Sequence, residues 1–196
     1  ELTLTNQEQS YNDYYWVHRM GTDTFYNAGQ ILATHVDAIA NAGYKAIINF
    51  RSDGELTNLL PDEAQNAGSG HGIHNLEFSD KYGYYNISKE EASFHRVGYT
   101  TDTYISLPVS GSSAWTNTTF FDYLPFIDGI YTKHTPALVH CASGYRSSAY
   151  IYTYLAYKQG MCSDWVLRES QLIGYSFNVS ESDTAVVEFV NSVLGC

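Results

Sequence analysis

Residues 140–148 read His140-Cys141-Ala142-Ser143-Gly144-Tyr145-Arg146-Ser147-Ser148. An apolar run, Pro136 to Val139, precedes them, and a helix-like run from Arg146 to Lys158 follows. A strand that ends at a cysteine, a short loop with one glycine and the start of a helix together direct several backbone N–H groups at one point. The stretch therefore predicts an anion-binding loop between a strand and a helix, with the Cys141 sulfur at its centre.

The residue types in this loop point to nucleophilic chemistry. Helix N-termini and neighbouring arginines lower a thiol pKa from about 8.5 to roughly 3.5–7.5, so we expect Cys141 to be a thiolate. Arg146 offers two parallel N–H groups to the oxygens of an anion. The Ser147 hydroxyl is expected to hydrogen-bond the thiolate, and His140 is expected to order the loop. The remaining anion-binding loop residues are Ala142, Ser143, Gly144, which permits the tight turn, and Tyr145.

The loop resembles the signature of cysteine-dependent protein phosphatases, including the dual-specificity type. Ordinary members place five residues between the cysteine and the arginine, whereas this chain has four, Ala142 to Tyr145. That spacing is similar to the beta-lactamase-hydrolase-like phosphatase-like domain and to many rhodanese-type sulfurtransferases. The segment from Asn41 to Glu55 also resembles the strand and turn after the first helix of that phosphatase-like domain. The resemblance covers roughly residues 25–165 and implies phosphoester hydrolysis.

The resemblance also implies a general acid that this sequence lacks at the matching place. In the phosphatases an aspartate follows a strand that ends in a Pro-hydrophobic step, but residues 108–113 read Pro-Val-Ser-Gly-Ser-Ser. The other candidates for the general acid are Asp53, Asp80, Asp102 and Asp122. Asp53 is favoured because its turn follows a neighbouring strand. General acid catalysis typically contributes about 10²–10⁴-fold, so the missing aspartate matters for poor leaving groups.

Two other functions remain open beside a phosphatase. A rhodanese-like sulfurtransferase would form a persulfide on Cys141 by thiolate attack on sulfur, and that step needs no general acid. A secreted, tyrosine-rich glycoprotein with an inactive phosphatase-like fold would serve in binding or structure, consistent with 18 tyrosines in the chain.

Composition sets the organisation and excludes several partners. With 196 residues, 44% hydrophobic and 16% charged, the chain is long enough for one core. We divide it into an aromatic N-terminal extension with an edge strand, residues 1–24, and a single phosphatase-like α/β domain, residues 25–196. A net charge of −11 and scattered basic residues exclude nucleic acid. No apolar run reaches the roughly 18–20 residues of a membrane span. We expect a small phosphate-like anionic ligand, no cofactor and no metal, and the sequence leaves the oligomeric state open.

The number of cysteines and the glycosylation sequons indicate the cellular compartment in which we expect the protein. Setting Cys141 aside leaves Cys162 and Cys196, an even pair that predicts a disulfide in an oxidising environment. Sequons begin at Asn86, Asn117 and Asn178. The chain starts at Glu1 rather than methionine, which fits a mature secreted product after signal cleavage and also fits an expression fragment. We expect an extracellular protein, with a cytoplasmic location as the alternative.

The order of elements predicts the fold. Strands are expected at residues 11–20, 44–50, 73–78, 103–109 and 137–140, and helices at 31–41, 56–60, 88–96, 116–133, 146–159, 163–174 and 182–194. Strands that alternate with helices imply a mainly parallel central sheet with helices on both faces. The Cys141 loop then lies at the carboxyl end of a central strand, where open α/β sheets bind ligands.

Overall fold

A computed structural model describes residues 8–12, 15–21, 23–55, 78, 84–177 and 181–196. In these residues six strands form one sheet in the order β1-β2-β3-β6-β4-β5. The strands are β1 (Glu8–Asn12), β2 (Tyr15–Arg19), β3 (Phe25–Ala28), β4 (Ala46–Asn49), β5 (Tyr104–Ser106) and β6 (Ala137–His140). The three pairings β3–β6, β6–β4 and β4–β5 are parallel, whereas β1–β2 and β2–β3 are antiparallel. The predicted mainly parallel sheet is confirmed, and β6, which leads into the Cys141 loop, lies between β3 and β4.

Six α-helices accompany the sheet in the described part of the chain. They are α1 (Val36–Asn41), α2 (Ile87–Arg96), α3 (Asn117–Lys133), α4 (Tyr145–Gln159), α5 (Ser163–Leu172) and α6 (Glu181–Leu194). The helix expected over residues 31–41 is shorter, because residues 33–35 form a 3-10 turn before α1. The expected strands at 44–50 and 103–109 shorten to β4 and β5.

Alternation along β6 separates the apolar side chains into two cores. Ala137 and Val139 face the larger core with α3, α4, α5 and α6, whereas Leu138 faces a second core with α1 and α2. Successive side chains of a strand point to opposite faces, so both faces of the sheet must be covered. Helices therefore flank both faces, as predicted. Helix α4 is the central helix of the larger core, since residues 147–156 are all buried.

The N-terminal region differs in detail from the expected single edge strand. The part predicted as one strand over residues 11–20 belongs to two antiparallel strands, β1 and β2, whose register shifts between Ser10 and Asn12. Of these two strands only β1 lies at an edge of the sheet, because β2 also pairs with β3. The helix expected at 56–60 and most of the strand expected at 73–78 lie outside the described residues.

The C-terminal residues are tied to the start of α5. Cys162 and Cys196 form a disulfide with a Cα–Cα distance of 5.2 Å, as the sequence predicted. The Cys196 carbonyl also accepts hydrogen bonds from the Ser163 backbone N–H at 3.1 Å and its hydroxyl at 2.7 Å. The disulfide thus closes a segment that contains α5, α6 and the residues between them. Among the helices of the described residues, none is long and apolar enough to cross a membrane.

Candidate anion-binding active site

The Cys141 loop joins the carboxyl end of β6 to the first turn of α4. Gly144 precedes the helix with a φ of 84°, a left-handed conformation that glycine adopts without steric cost. Cys141 is fully buried and is the free cysteine of the chain, since the other two are bridged. The loop therefore has the strand, turn and helix start that the sequence predicted.

The carbonyl groups of four consecutive loop residues point outward and accept hydrogen bonds from different parts of the fold. The donors are His140 Nδ1 to Cys141 O at 3.1 Å, the Gln30 backbone N–H to Ala142 O at 3.0 Å, the Tyr175 hydroxyl to Ser143 O at 2.6 Å and Asn27 Nδ2 to Gly144 O at 3.1 Å. In a trans peptide the N–H points away from the carbonyl. Outward carbonyls thus turn the loop N–H groups inward.

The inward N–H groups act on the Cys141 sulfur. Gly144 N–H donates to Sγ at 3.1 Å. Burial alone would raise the pKa of Cys141, but the positive charge of Arg146 and hydrogen bonds from Ser147 and from the Arg146 backbone hold it below its usual value. The site therefore favours the thiolate, as expected for a nucleophile at a helix N-terminus.

The Ser147 hydroxyl has more than one acceptor within reach. Its oxygen lies 3.7 Å from Cys141 Sγ and 2.6 Å from Asn27 Oδ1. A serine hydroxyl has one proton, so it donates to one of them at a time. Ser147 is thus close enough to stabilise a departing thiolate, while Asn27 holds the hydroxyl in place.

A two-point ion pair orients the Arg146 guanidinium. Its Nη1 and Nη2 donate to the two oxygens of Glu55 at 2.7 Å and 2.8 Å, and Nη1 also donates to Val109 O at 3.0 Å. Burial alone would raise the pKa of Glu55, but the contacts with Arg146, the Ser52 N–H and Arg51 lower it. Glu55 is therefore ionised and holds one edge of the guanidinium, which leaves other N–H groups for an anion.

A second buried guanidinium shares the same carboxylate. Arg51 is 1% exposed, and its Nε donates to Glu55 Oε1 at 3.0 Å. Its Nη1 donates to Gln30 Oε1 at 3.0 Å, and its guanidinium carbon lies 4.3 Å from the centre of the Tyr85 ring. Two guanidinium groups on one carboxylate leave an excess of positive charge, which a thiolate or a bound anion can balance.

A buried carboxylate lies behind the loop on the other side. Glu90, in α2, contacts His140 Nε2 at 2.8 Å and accepts hydrogen bonds from Gln30 Nε2 at 2.6 Å and from the Tyr104 hydroxyl. Burial would lower the pKa of His140 and raise that of Glu90, but their mutual attraction shifts both the other way. Both neighbouring groups are oxygen acceptors, so the raised pKa of His140 favours an imidazolium that donates to Glu90 and to the Cys141 carbonyl. The ordering of the loop by His140 stays a prediction.

Tyr145 faces α6 from the end of the loop. Its hydroxyl donates to Asp183 Oδ1, and its ring packs edge-on against Phe177 with centroids 5.0 Å apart. Tyr145 is the last residue of the predicted loop and the first residue of α4. Its contacts connect the loop to Phe177 and to α6.

The candidates for the general acid lie in different places. The Asp53 carboxylate accepts the Ile87 backbone N–H at 2.6 Å, at the first residue of α2. Asp102 precedes β5, at the amino ends of the parallel strands, whereas the Cys141 loop lies at their carboxyl ends, and Asp122 is exposed on α3. Asp80 lies outside the described residues. Ser110, Ser112 and Ser113, in the segment where the resemblance implies an aspartate, are all exposed. The role of Asp53 stays a prediction.

Sequence reasoning missed most residues that hold the loop. The missed residues are Asn27, Gln30, Glu55, Glu90 and Tyr175. Glu55 had a signal, because it ends the Arg51–Glu55 turn after a strand next to β6 and carries a charge opposite to that of Arg146. The others lie far from Cys141 in sequence and belong to segments whose own patterns indicate only a strand, a helix or a connection.

The remaining predicted sites are the three glycosylation sequons. Asn86 caps the N-terminus of α2, where its side chain accepts the Lys89 N–H at 3.0 Å, and Asn117 is exposed at the start of α3. Asn178 lies outside the described residues. In the described part of the chain, no group of three or more His, Cys, Asp or Glu residues is placed to hold a metal ion.

Comparison with solved structures identifies the fold. TpbA from P. aeruginosa is 17% identical with a TM-score of 0.57, covering 91% of this chain and 88% of its own. A mutant form of Tk-PTP is 13% identical with a TM-score of 0.60, covering 90% and 93%. PTPMT1 is 14% identical with a TM-score of 0.54, covering 92% and 97%. Another TpbA structure, with a TM-score of 0.55, is a complex with pTyr.

These neighbours are cysteine-dependent phosphatases, so the chain has the fold of that superfamily, as its loop predicted. No protein-family model matches the sequence, and no curated protein matches it either.

Proposed function

We propose that this protein hydrolyses phosphoesters through a covalent intermediate on Cys141. The observation that carries the proposal is the convergence of the Gly144 N–H and the Arg146 charge on a sulfur whose pKa is lowered. A phosphoryl group seated there would meet inward N–H groups and a guanidinium already oriented by Glu55.

The reaction would proceed in two displacements. The Cys141 thiolate attacks phosphorus, the S–P bond forms, and the P–O bond breaks with its electron pair on the leaving oxygen. Water then attacks phosphorus, the S–P bond breaks, and the thiolate returns with inorganic phosphate as product. The Ser147 hydroxyl, 3.7 Å from Sγ, can hydrogen-bond the sulfur as negative charge returns to it.

The substrate class follows from leaving-group chemistry. The loop at residues 107–116 has no carboxylate, so no aspartate there protonates the leaving oxygen. A phenol has a pKa of about 10, far below that of an alkyl alcohol, and leaves with less help from an acid. We therefore favour aryl phosphates. The complex of TpbA with pTyr, an aryl phosphate bound by a protein of the same fold, supports this choice.

A binding or structural role without catalysis is the second candidate. The burial of Cys141 favours it, because a substrate must reach a sulfur that has no exposed surface in this structure. The loop would then serve as an ordered junction between β6 and α4.

One experiment distinguishes these two functions from the sulfurtransferase hypothesis. The protein is mixed with an aryl phosphate, quenched in acid and analysed by peptide mass spectrometry, and released phosphate is measured in parallel. A phosphorylated Cys141 peptide and phosphate release, both lost in Cys141→Ser and much reduced in Arg146→Lys, are expected. Persulfide on Cys141 after incubation with thiosulfate would support sulfur transfer instead. Absence of both the phosphorylated and the persulfide form of Cys141 would favour the binding role.

We also propose that the protein works in an oxidising, extracellular compartment. The Cys162–Cys196 disulfide supports this location, since such bonds persist where thiol reductants are scarce. Expression through a eukaryotic secretory pathway tests it together with the sequons. Glycan on the exposed Asn117 is expected on the secreted protein, and retention of the chain inside the cell would contradict the proposal.

A further inference from the structure

We propose that Tyr175 is a positioning residue for the Cys141 thiolate and acts on it through one peptide group. The inference rests on the active loop proposed above. Ser143 O accepts the Tyr175 hydroxyl at 2.6 Å, and the N–H of the same peptide group, that of Gly144, donates to Cys141 Sγ at 3.1 Å. The tyrosine hydroxyl and the sulfur thus lie at opposite ends of a single peptide unit.

The orientation of this peptide decides the charge that the sulfur meets. With Ser143 O directed at Tyr175, the partial positive charge of the Gly144 N–H faces the thiolate. Rotation of the peptide by half a turn would place a carbonyl oxygen against the thiolate instead. Gly144 does not prevent such a rotation, because glycine populates positive and negative φ about equally. The hydrogen bond from Tyr175 therefore selects the orientation that stabilises negative charge on Cys141.

Tyr175 is itself held firmly enough to do this. Its side chain is 4% exposed within the larger core, and its backbone N–H donates to Ser170 O at 2.9 Å, just after α5. Burial, together with the negative charge of Cys141, raises the pKa of Tyr175 far above its usual value. The hydroxyl therefore keeps its proton and remains a donor over the whole range in which Cys141 titrates.

Other groups around the sulfur remain in place when this hydroxyl is removed. Arg146 from α4 and His140 from β6 face Cys141, and Glu55 and Glu90 each lie one contact farther away. Tyr175→Phe changes none of these residues. It deletes one hydroxyl and keeps the ring in the core. The hydroxyl also contacts the side chain of Asn27, which holds the Ser147 hydroxyl near Sγ, so the Gly144 amide shift assigns a change in Cys141 titration to the Ser143–Gly144 peptide.

The test is the pH dependence of Cys141 alkylation by iodoacetamide, followed by peptide mass spectrometry in native protein. For Tyr175→Phe we expect the alkylation midpoint to rise by about 0.5 to 1 pH unit, a three- to tenfold loss of thiolate stability. Vanadate is expected to protect Cys141 several-fold less well. The matched control is Tyr154→Phe, on α4, which deletes a hydroxyl bonded to Asp128 Oδ1 at 2.6 Å. Its midpoint should equal that of the wild type.

The NMR shift of the Gly144 amide against pH gives a second readout that does not need reagent access. Equal midpoints for wild type, Tyr175→Phe and Tyr154→Phe, in proteins with normal melting curves, would overturn the inference. Neither readout requires turnover. A low wild-type midpoint that rises in Tyr175→Phe, without any phosphate release, would therefore support the role of Tyr175 while the proposed hydrolysis fails.

Discussion

The Arg146 guanidinium and the Glu55 carboxylate share two hydrogen bonds, at 2.7 Å and 2.8 Å, although 91 residues separate them in the chain. This pair joins the start of α4 to the turn after β4. Pairs of this bidentate kind fix the plane of the guanidinium as well as its position. Glu55 therefore holds the Arg146 guanidinium in one orientation, which would prepare it for the proposed binding of an anion.

Glu55→Gln should weaken anion binding and turnover. An amide can accept from only one of the two Arg146 groups, and the loss of a charge-assisted hydrogen bond costs about 1.5–3 kcal/mol. We expect kcat/KM for an aryl phosphate to fall about 10- to 100-fold. Steady-state kinetics measure this, with the exposed Glu188→Gln on α6 as control. Equal activity in Glu55→Gln and wild type would show that Arg146 needs no such support.

The buried Glu90–His140 pair should give stability a pH window. Glu90 has a lowered pKa, so its contribution is present above the unfolded value of about 4.5 and is lost as pH falls. His140 has a raised pKa, so its contribution is complete below about 6.5 and is lost as pH rises through the higher folded value. Both contributions are complete between roughly pH 4.5 and 6.5.

Glu90→Gln leaves His140 buried without its counter-charge and should destabilise the fold by about 3–5 kcal/mol. Thermal melting across pH 4 to 9 measures this for wild type and variant. The difference in Tm is expected to be largest between pH 4.5 and 6.5 and to shrink at both ends. A difference that does not change with pH would mean that the contact is packing rather than an ion pair.

The sequence predicted the parts of the site that are contiguous in the chain. A cysteine, a glycine and an arginine at fixed spacing between a strand and a helix determine the loop, because local backbone geometry and the helix dipole act over a few residues. The disulfide followed from the parity of the remaining cysteines. The residues that hold the loop from outside were not predicted. The packing of strands and helices brings Asn27, Glu90 and Tyr175 to the loop. Local periodicity in the sequence does not predict that packing.

The ends of the helices and strands were also predicted imprecisely. The helix expected at 31–41 does not begin at its first residues, because Leu32 is extended with a ψ of 153° and residues 33–35 form a 3-10 turn. Just before it, Gln30 donates its backbone N–H to Ala142 O and its side-chain N–H to Ile31 O. The chain is thus tied to the Cys141 loop immediately before the expected helix. A sequence pattern cannot show the contact with Ala142, since that partner comes from a distant segment.

Loss of the Cys162–Cys196 disulfide should affect both stability and the thiolate. The bond closes a separation of 34 residues, for which the chain-entropy model gives about 3–4 kcal/mol. The closed segment supplies Tyr175 to Ser143 O and Asp183 to the Tyr145 hydroxyl. The double variant Cys162→Ser/Cys196→Ser should therefore melt roughly 10 °C lower and show a higher Cys141 alkylation midpoint. A lower Tm with an unchanged Cys141 alkylation midpoint would show that the disulfide-closed segment does not influence the thiolate.

Hydrolysis should depend steeply on the leaving group, because the loop at residues 107–116 offers no carboxylate to protonate it. Across aryl phosphates of rising phenol pKa we expect kcat to fall steadily. The pH–rate profile is expected to lack the decline at high pH that deprotonation of a general acid produces. Asp53→Asn is expected to leave the slope unchanged, since the Asp53 carboxylate is bonded to the Ile87 N–H at 2.6 Å. A flat series in the wild type that becomes steep in Asp53→Asn would instead identify Asp53 as the proton donor.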